Sequence, residues 1–252
     1  MKYLDLTLPA PEQNLACDEV LLAAVEVEPG MAVLRCWESP SPFVVVGYGQ
    51  TAALEVNRMA CAARQIPVLR RCSGGGAVLQ GAGCLNYALV LPLDDSPALA
   101  TIARTNAYVL SRHQAVLSRR LGTTVAIHGI TDLAIGNRKF SGNAQRRRHR
   151  AVLYHGTFLL DLDLALMETL LPAPSKAPAY RQNRSHRDFL INLGRPANEV
   201  KGWLQQAWEA WDPFSEPDRA ALVEQSQHSF RPLSGKDEPR SSRWARRTEG
   251  QL

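Results

Sequence analysis

Arg70-Arg71-Cys72-Ser73-Gly74-Gly75-Gly76 is the first segment whose residue types suit chemistry. Three consecutive glycines after a strand-like run leave backbone N–H groups with no side chains over them. Such a loop can lie against a phosphate or a flat acyl chain, with the flanking guanidiniums adding positive charge. A glycine run is also the ordinary mark of a tight turn, and the G-K-[ST] ending of a P-loop is missing, which argues against a Walker-type NTPase. In the second segment, Asp132 to Ala144, Gly136-Asn137 sits between two alternating runs, a two-residue hairpin signal. Alternation puts Lys139 and Ser141 on one face and Arg138 and Phe140 on the other. A lysine there is usually solvated, but the small polar run Ser141-Gly142-Asn143-Ala144 reads as a wall that a ligand can approach. The third segment is Tyr154-His155-Gly156-Thr157. A lone histidine at a strand start is more often hydrogen-bonded structure than chemistry.

The elements that must position these segments follow from periodicity. Residues 2 to 8 alternate as a strand, and Pro11-Glu12 opens an amphipathic helix that Pro29-Gly30 ends. Strands are expected at 32 to 37, 43 to 46, 66 to 71, 77 to 80, 85 to 91, 123 to 127 and 152 to 160. Helices are expected at about 55 to 64, 99 to 120 and 196 to 212, with a Pro- and Arg-containing loop at 172 to 188. Many strands with few, unevenly placed helices indicate an α+β fold. Beyond Gly235 the composition turns polar and basic, and a disordered tail is expected. There are no internal repeats.

The 252 residues can bury a full core, and a hydrophobic share of 45% with 21% charged residues excludes wholesale disorder. No stretch approaches the roughly 18 apolar residues of a membrane span, and Asp5 interrupts any signal peptide. A soluble cytoplasmic protein is expected. Cys17, Cys36, Cys61, Cys72 and Cys84 show no C-x-x-C spacing, so reduced thiols are expected rather than disulfides or a zinc knuckle. The net charge is +5, but residues 138 to 150 alone hold six Lys and Arg with no acid. The body is mildly acidic with one basic loop, which suits a local anion site better than a duplex-binding face.

Taken together, Arg71-Cys72-Ser73-Gly74-Gly75-Gly76, Asn86, Asp132-Leu133, Gly136-x-Arg138-Lys139-x-Ser141-Gly142 and His155-Gly156-Thr157 resemble the lipoate-protein ligase A family. Asn14-Leu15-Ala16-x-Asp18-Glu19-x-Leu21-Leu22 and Val44-Val45-Val46-Gly47-x-x-Gln50 also look like family segments. The likeness covers about residues 10 to 195 and implies a class II synthetase-like catalytic fold shared with biotin protein ligases and octanoyltransferases. Mixed, largely antiparallel sheets packed with helices are expected, with a catalytic domain over 1–212 and a C-terminal extension over 213–252.

The resemblance implies ATP-dependent attachment of lipoate to a carrier lysine through a lipoyl-adenylate, with ATP and Mg2+ as cofactors and no permanently bound cofactor. Lys139 would be catalytic, contacting the acid's carboxyl and the α-phosphate. Arg71, Ser73, Gly74, Gly75, Gly76, Asn86, Ser141, Gly142, His155, Gly156 and Thr157 would bind substrate. Asp132, Lys139, Gly76 and Ala77 would bind nucleotide, with Asp132 near the metal. The basic segment Arg146 to Arg150 falls where relatives carry a flexible loop over the adenylate. Implied partners are apo lipoyl-domain proteins, of the 2-oxoacid dehydrogenase E2 type, a glycine-cleavage H protein or a related carrier, and an accessory-domain subunit. Neither membrane nor nucleic acid is expected.

The chain departs from the family at Gln80-Gly81-Ala82-Gly83-Cys84-Leu85-Asn86, where ligases read His-Asp-x-Gly-Asn-x-Asn, and at Tyr48 and Thr131. Competing readings are an octanoyl or lipoyl transferase using a cysteine thioester, with Cys84 or Cys72 as nucleophile, a biotin ligase, and a non-catalytic binder.

Overall fold

The computed structural model describes residues 1–28, 30–94 and 96–229. The tail expected beyond Gly235, and Pro29 at the end of the first helix, lie outside the described residues. From the N-terminus come β1 (Lys2–Asp5), α1 (Pro11–Val27), β2 (Val33–Trp37) and β3 (Phe43–Val46). Pro11 suits the first turn of α1, where its missing N–H costs nothing. The helix expected at 55 to 64 is instead two short ones, α2 (Ala52–Glu55) and α3 (Arg58–Ala63). The break falls at Asn57, whose side chain accepts from the Ala60 N–H and caps α3. Then follow β4 (Val68–Arg70), β5 (Val78–Gln80), β6 (Cys84–Pro92), α4 (Ile102–Leu121), β7 (Val125–His128), β8 (Asp132–Ile135), β9 (Arg138–Arg147) and β10 (Ala151–Leu159). The chain continues with α5 (Leu164–Leu170), α6 (His186–Phe189), α7 (Ala197–Trp208), β11 (Asp212–Pro213) and α8 (Glu216–Ser229). The sequence pattern offers none of α5, α6 and α8, and α6 starts within the segment expected as loop.

Eight strands form one mixed sheet in the order β11-β1-β2-β6-β10-β9-β8-β7, and β4-β3-β5 form a second, smaller one. In the large sheet the pairs β11–β1 and β1–β2 are parallel and the remainder antiparallel. The α+β class expected from the sequence is therefore the one observed. Both faces of the large sheet are covered, which is why β2 and β6 are buried along almost their whole length and read as mostly apolar runs, broken by Arg35 and Asn86, rather than alternating ones. On one face Leu34, Leu89, Val152 and Tyr154 pack against Val109 and Leu117 of α4 and Val200, Leu204 and Trp208 of α7. On the other, Val33, Ala88, Val90 and Leu153 meet Leu21, Leu22 and Val25 of α1, with Leu222 of α8 joining the same cluster.

His113 of α4 is fully buried between the rings of Tyr87 and Trp208 and accepts the Trp208 indole N–H at 2.8 Å. Burial holds its pKa down to about 3. The unfolded chain protonates this imidazole near its ordinary value of about 6.5, so between the two the unfolded state binds the extra proton. His113 therefore stabilises the fold above pH 6.5, and that contribution is lost at up to about 1.4 kcal/mol per unit as pH falls toward 3. His113→Gln keeps an acceptor for the indole, and its urea-unfolding stability should fall less steeply between pH 6.5 and 4.5 than that of the parent.

Candidate active site

Directly opposed residues of neighbouring strands share a face of the sheet, and one such row crosses five strands. Trp37 on β2 faces Asn86 on β6, Asn86 faces Thr157 on β10, Thr157 faces Gly142 on β9, and Gly142 faces Asp132 on β8. All five line one cavity of about 190 Å³, which Leu15 and Asp18 of α1 and the stretch Gly75 to Val78 close from above. Asp132, Lys139, Gly142 and Thr157 also line a wider cavity of about 590 Å³, walled by the 174–190 segment. The row thus runs from a narrow slot under α1, where Leu15, Val45 and Val78 meet Asp18, Asn86 and Arg71, to a roomier opening beside β8.

At that opening Lys139 Nζ lies 2.8 Å from Asp132 Oδ1, and the Tyr180 hydroxyl donates to Asp132 Oδ2 at 2.7 Å. The expected hairpin is present, with Gly136 at φ +56° in its turn. Strict alternation is not, because a bulge interrupts the β8–β9 pairing: Leu133 faces Ser141 but Ala134 faces Lys139. The extra residue, Phe140, moves Lys139 to the face of Asp132 and Gly142. Ser141, expected beside Lys139, is buried at 1% exposure opposite Leu133 and reaches only the wider cavity.

The glycine loop is held by the arginine that precedes it. Half-buried Arg71 donates to the carbonyls of Gly74 and Gly76 at 2.7 and 2.8 Å and to the Ser73 hydroxyl at 3.2 Å. Burial lowers its pKa to about 10, so it stays cationic at neutral pH. Gly75 sits at φ +89°, a conformation that favours glycine. Arg70 is turned away, onto the carbonyls of Gly47 and Gln50. Of the expected loop contacts, Arg71, Gly75, Gly76 and Ala77 line the narrow cavity. Gly74 lines neither cavity, and Ser73 lies behind the wall at 1% exposure.

Ser73 Oγ and His155 Nε2 are 2.6 Å apart, and His155 Nδ1 lies 3.5 Å from Asp18 Oδ2. The other Asp18 oxygen takes Arg35 NH1 at 2.6 Å, and that guanidinium also holds the Asn14 side chain and the carbonyls of Leu6 and Asn14. Hydrogen bonds therefore tie the glycine loop through β10 to α1 and β2. Gly156 serves a close approach: a Cβ there would collide with the Asn143 amide, which accepts the Tyr87 hydroxyl across β10 at 2.6 Å. Asn143 also donates to the Thr131 carbonyl, and Thr131 Oγ1 donates back to that of Asn143.

Asn143, expected in the small polar wall of residues 141–144, does line the narrow cavity, whereas nothing in the sequence singled out Trp37 or Tyr180, and Asp18 stood out only within a longer segment. Asp18 had a signal, as an acid between apolar positions on a helix face that must be buried. Trp37 and Tyr180 carry none that separates them from core or loop residues. The basic run 146–150 is not an open loop. Residues 146 and 147 belong to β9, Arg147 is fixed on Thr105 Oγ1 and the Leu99 carbonyl, and Arg146 lies over the Tyr48 ring at 5.6 Å.

No cysteine lines either cavity. Burial raises both Cys84, which is fully buried, and Cys72 to about 12, so neither is a thiolate at neutral pH. Among the described residues no three His, Cys, Asp or Glu side chains gather as a metal site. Asp132 offers one carboxylate, which suits a magnesium ion that takes its other ligands from phosphates and water.

A Cβ on Gly142 would press on Lys139 Nζ at 2.7 Å while meeting no backbone. Because the lysine end can swing away, Gly142→Ala is expected to leave thermal stability within about 0.5 kcal/mol. Any reaction that depends on the Lys139–Asp132 pair should nonetheless slow at least tenfold, because a small displacement of a reacting group is costly; melting and initial-rate measurements on the same preparation check this.

The family model for the lipoyl protein ligase A/B catalytic domain matches residues 10–201. A candidate lipoate-protein ligase A of Aeropyrum pernix is 34% identical over 225 residues, 88% of this chain and 79% of that one. Lipoate–protein ligase 1 of Staphylococcus aureus is 29% identical over 73% of this chain, which spans only 55% of that relative. Among solved structures, a lipoate-protein ligase A bound with ATP superposes with TM-score 0.73 at 24% identity, covering 90% of this chain and 94% of that one. A bi-partite lipoate protein ligase of Thermoplasma acidophilum gives 0.72 at 24% identity over 90% of this chain and 92% of that one. The chain belongs to the lipoyl protein ligase A/B catalytic-domain family.

Proposed function

We propose that this chain activates lipoate or a similar medium-chain acid with ATP and passes the acyl group to a lysine of a lipoyl-domain carrier. The observation that carries the reading is the five-strand row, with a narrow slot at one end, its apolar contacts Leu15, Val45 and Val78, and the Lys139–Asp132 pair at the other. An acid laid along it has its tail under α1 and its carboxyl beside Lys139. Attack of that carboxylate on the α-phosphate forms the acyl-adenylate as the α–β bond breaks and pyrophosphate leaves; it brings two anions together, so the barrier falls where fixed positive charge faces both. Lys139 supplies that charge, and the backbone of Gly75 and Gly76, braced by Arg71, lets the adenylate lie close. When it arrives with the nucleotide, Mg2+ neutralises phosphate charge, and Asp132 would hold it. The same ammonium then polarises the acyl carbonyl toward the incoming carrier amine, which forms the amide and loses a proton as AMP leaves.

Several relatives are longer than this chain, and the Thermoplasma neighbour is described as bi-partite, together with its E2 lipoyl domain. A second subunit or segment is therefore part of the proposal. The test is the intact mass of an apo lipoyl domain incubated with this protein, lipoate and Mg-ATP, beside a tube without ATP. A gain of one lipoyl mass only with ATP supports the reading. A gain only from preformed lipoyl-adenylate assigns activation to a second chain, and no gain from either overturns it.

A further inference from the structure

Glu55, the last residue of α2, is a buried acid with no part in the site described above. It is 4% exposed and lines neither cavity. Among the described residues no lysine, arginine or histidine pairs with it. Its neighbours in sequence, Ala52 and Val56, pack with Cys61, Met167, Leu170 and Leu171 in one apolar cluster. The carboxylate meets Ser175 instead: the hydroxyl donates to Oε1, and the backbone N–H faces Oε2 at 3.5 Å. Withdrawing a carboxylate from water is costly unless hydrogen bonds replace that water. A buried acid whose bonds all go to one exposed residue therefore acts as an anchor for the segment that carries it.

That segment is the wall of the wider cavity. From Ala173 to Ala177 the bonds to Glu55 are the only hydrogen bonds among the described residues. The next side-chain tie to the large sheet is Tyr180 on Asp132. Pro174 and Lys176, on either side of Ser175, both line the cavity that also holds Lys139 and Asp132. If Lys139 faces the acid's carboxyl and the α-phosphate, the charge that gathers on the departing pyrophosphate calls for a second cation. Arg181 lines the cavity too, but its Nε donates to the Arg184 carbonyl and its guanidinium lies over the Phe189 ring. Lys176 is exposed and, among the described residues, in no ion pair. We propose that Glu55 is a positioning residue for the nucleotide: by anchoring Ser175 it sets where Lys176 stands, and Lys176 receives the β- and γ-phosphates. The proposal rests on the reading of the wider cavity as the nucleotide site.

The test titrates the full chain calorimetrically, with Mg2+ present, using two probes. One is α,β-methylene-ATP, which cannot be cleaved at the bond that adenylation breaks; the other is AMP, which lacks the β- and γ-phosphates. Ser175→Ala and Glu55→Gln should each weaken the ATP analogue about tenfold, the scale of one hydrogen bond to a charged group, and leave AMP within about twofold. Ser175→Thr keeps the hydroxyl and should bind both probes like the parent. Lys176→Ala should weaken the analogue about tenfold in the parent and add little to Ser175→Ala, because residues that act through one another are not additive. Unchanged analogue affinity in the anchor variants overturns the proposal. So do equal losses for the analogue and AMP, which mark a wall that only supports the fold, and a Lys176→Ala loss that adds in full. Should Glu55→Gln fail to fold, Ser175→Ala, at an exposed position, decides. If the parent binds both probes and the variants match it, the anchor role falls and the nucleotide reading stands. If the parent binds neither, both fall.

Discussion

Lys139→Ala is expected to lower acylation of a carrier lysine by about 10²–10³-fold, the range for loss of one charge-stabilising group at a reacting centre. The fold should not notice. Lys139 is partly exposed, its partner is the single carboxylate of Asp132, and a pair near the surface contributes about 0–1 kcal/mol. Cys84→Ser should retain most of the activity, because that sulfur lines neither cavity and its thiol is held protonated. Initial rates by intact mass, with melting curves on the same samples, check both. Retention in the lysine variant with loss in the cysteine variant would sink adenylation and revive the thioester route.

Asp18→Ala should have the largest effect on stability. Arg35 is fully buried, and among the described residues Asp18 is the acid paired with it. Removing the carboxylate strands a cation inside the sheet–helix interface, at a cost of about 3–5 kcal/mol. For a chain of this size that is roughly 10 °C of melting temperature. Asp18→Asn keeps the shape and an acceptor oxygen, and should lose less. The diagnostic is a double-mutant cycle with Arg35→Met: the pair of changes should cost less than Asp18→Ala alone, because no charge is then left unpaired. Equal or greater loss in the double variant would mean that the Asn14 and Leu6 contacts, not the ion pair, set the cost.

What the sequence disclosed follows from the range of the interactions involved. Local rules placed the strands from 2 to 46, the Gly136-Asn137 hairpin and the long helix α4, because each is decided by periodicity and turn residues within a short window. They missed the split between α2 and α3 although Asn57 is a plain cap, since the apolar pattern runs through it. They missed the short helices α5 and α6, too brief for a periodic pattern, and α8, whose surface is mostly polar and whose burial hangs on few residues such as Leu222. The bulge at Phe140 was invisible because strand register is a pairwise property, and it alone decides which side chains share a face with Lys139. The motif residues themselves were legible. Their supports were not: Asp18, Arg35 and Asn143 meet the motifs only after five strands have paired.

Asp132 has both carboxylate oxygens occupied by the chain's own groups, the Lys139 ammonium on one and the Tyr180 hydroxyl on the other. Whatever engages Asp132 therefore enters as a displacer, and its measured affinity is what remains after a tethered rival has been moved aside. The rival never dilutes away. An arriving nucleotide that frees Lys139 from Asp132 releases the ammonium at the moment when an anion is present to receive it, so the resting pair keeps that charge in reserve and spares an empty cavity an unbalanced cation.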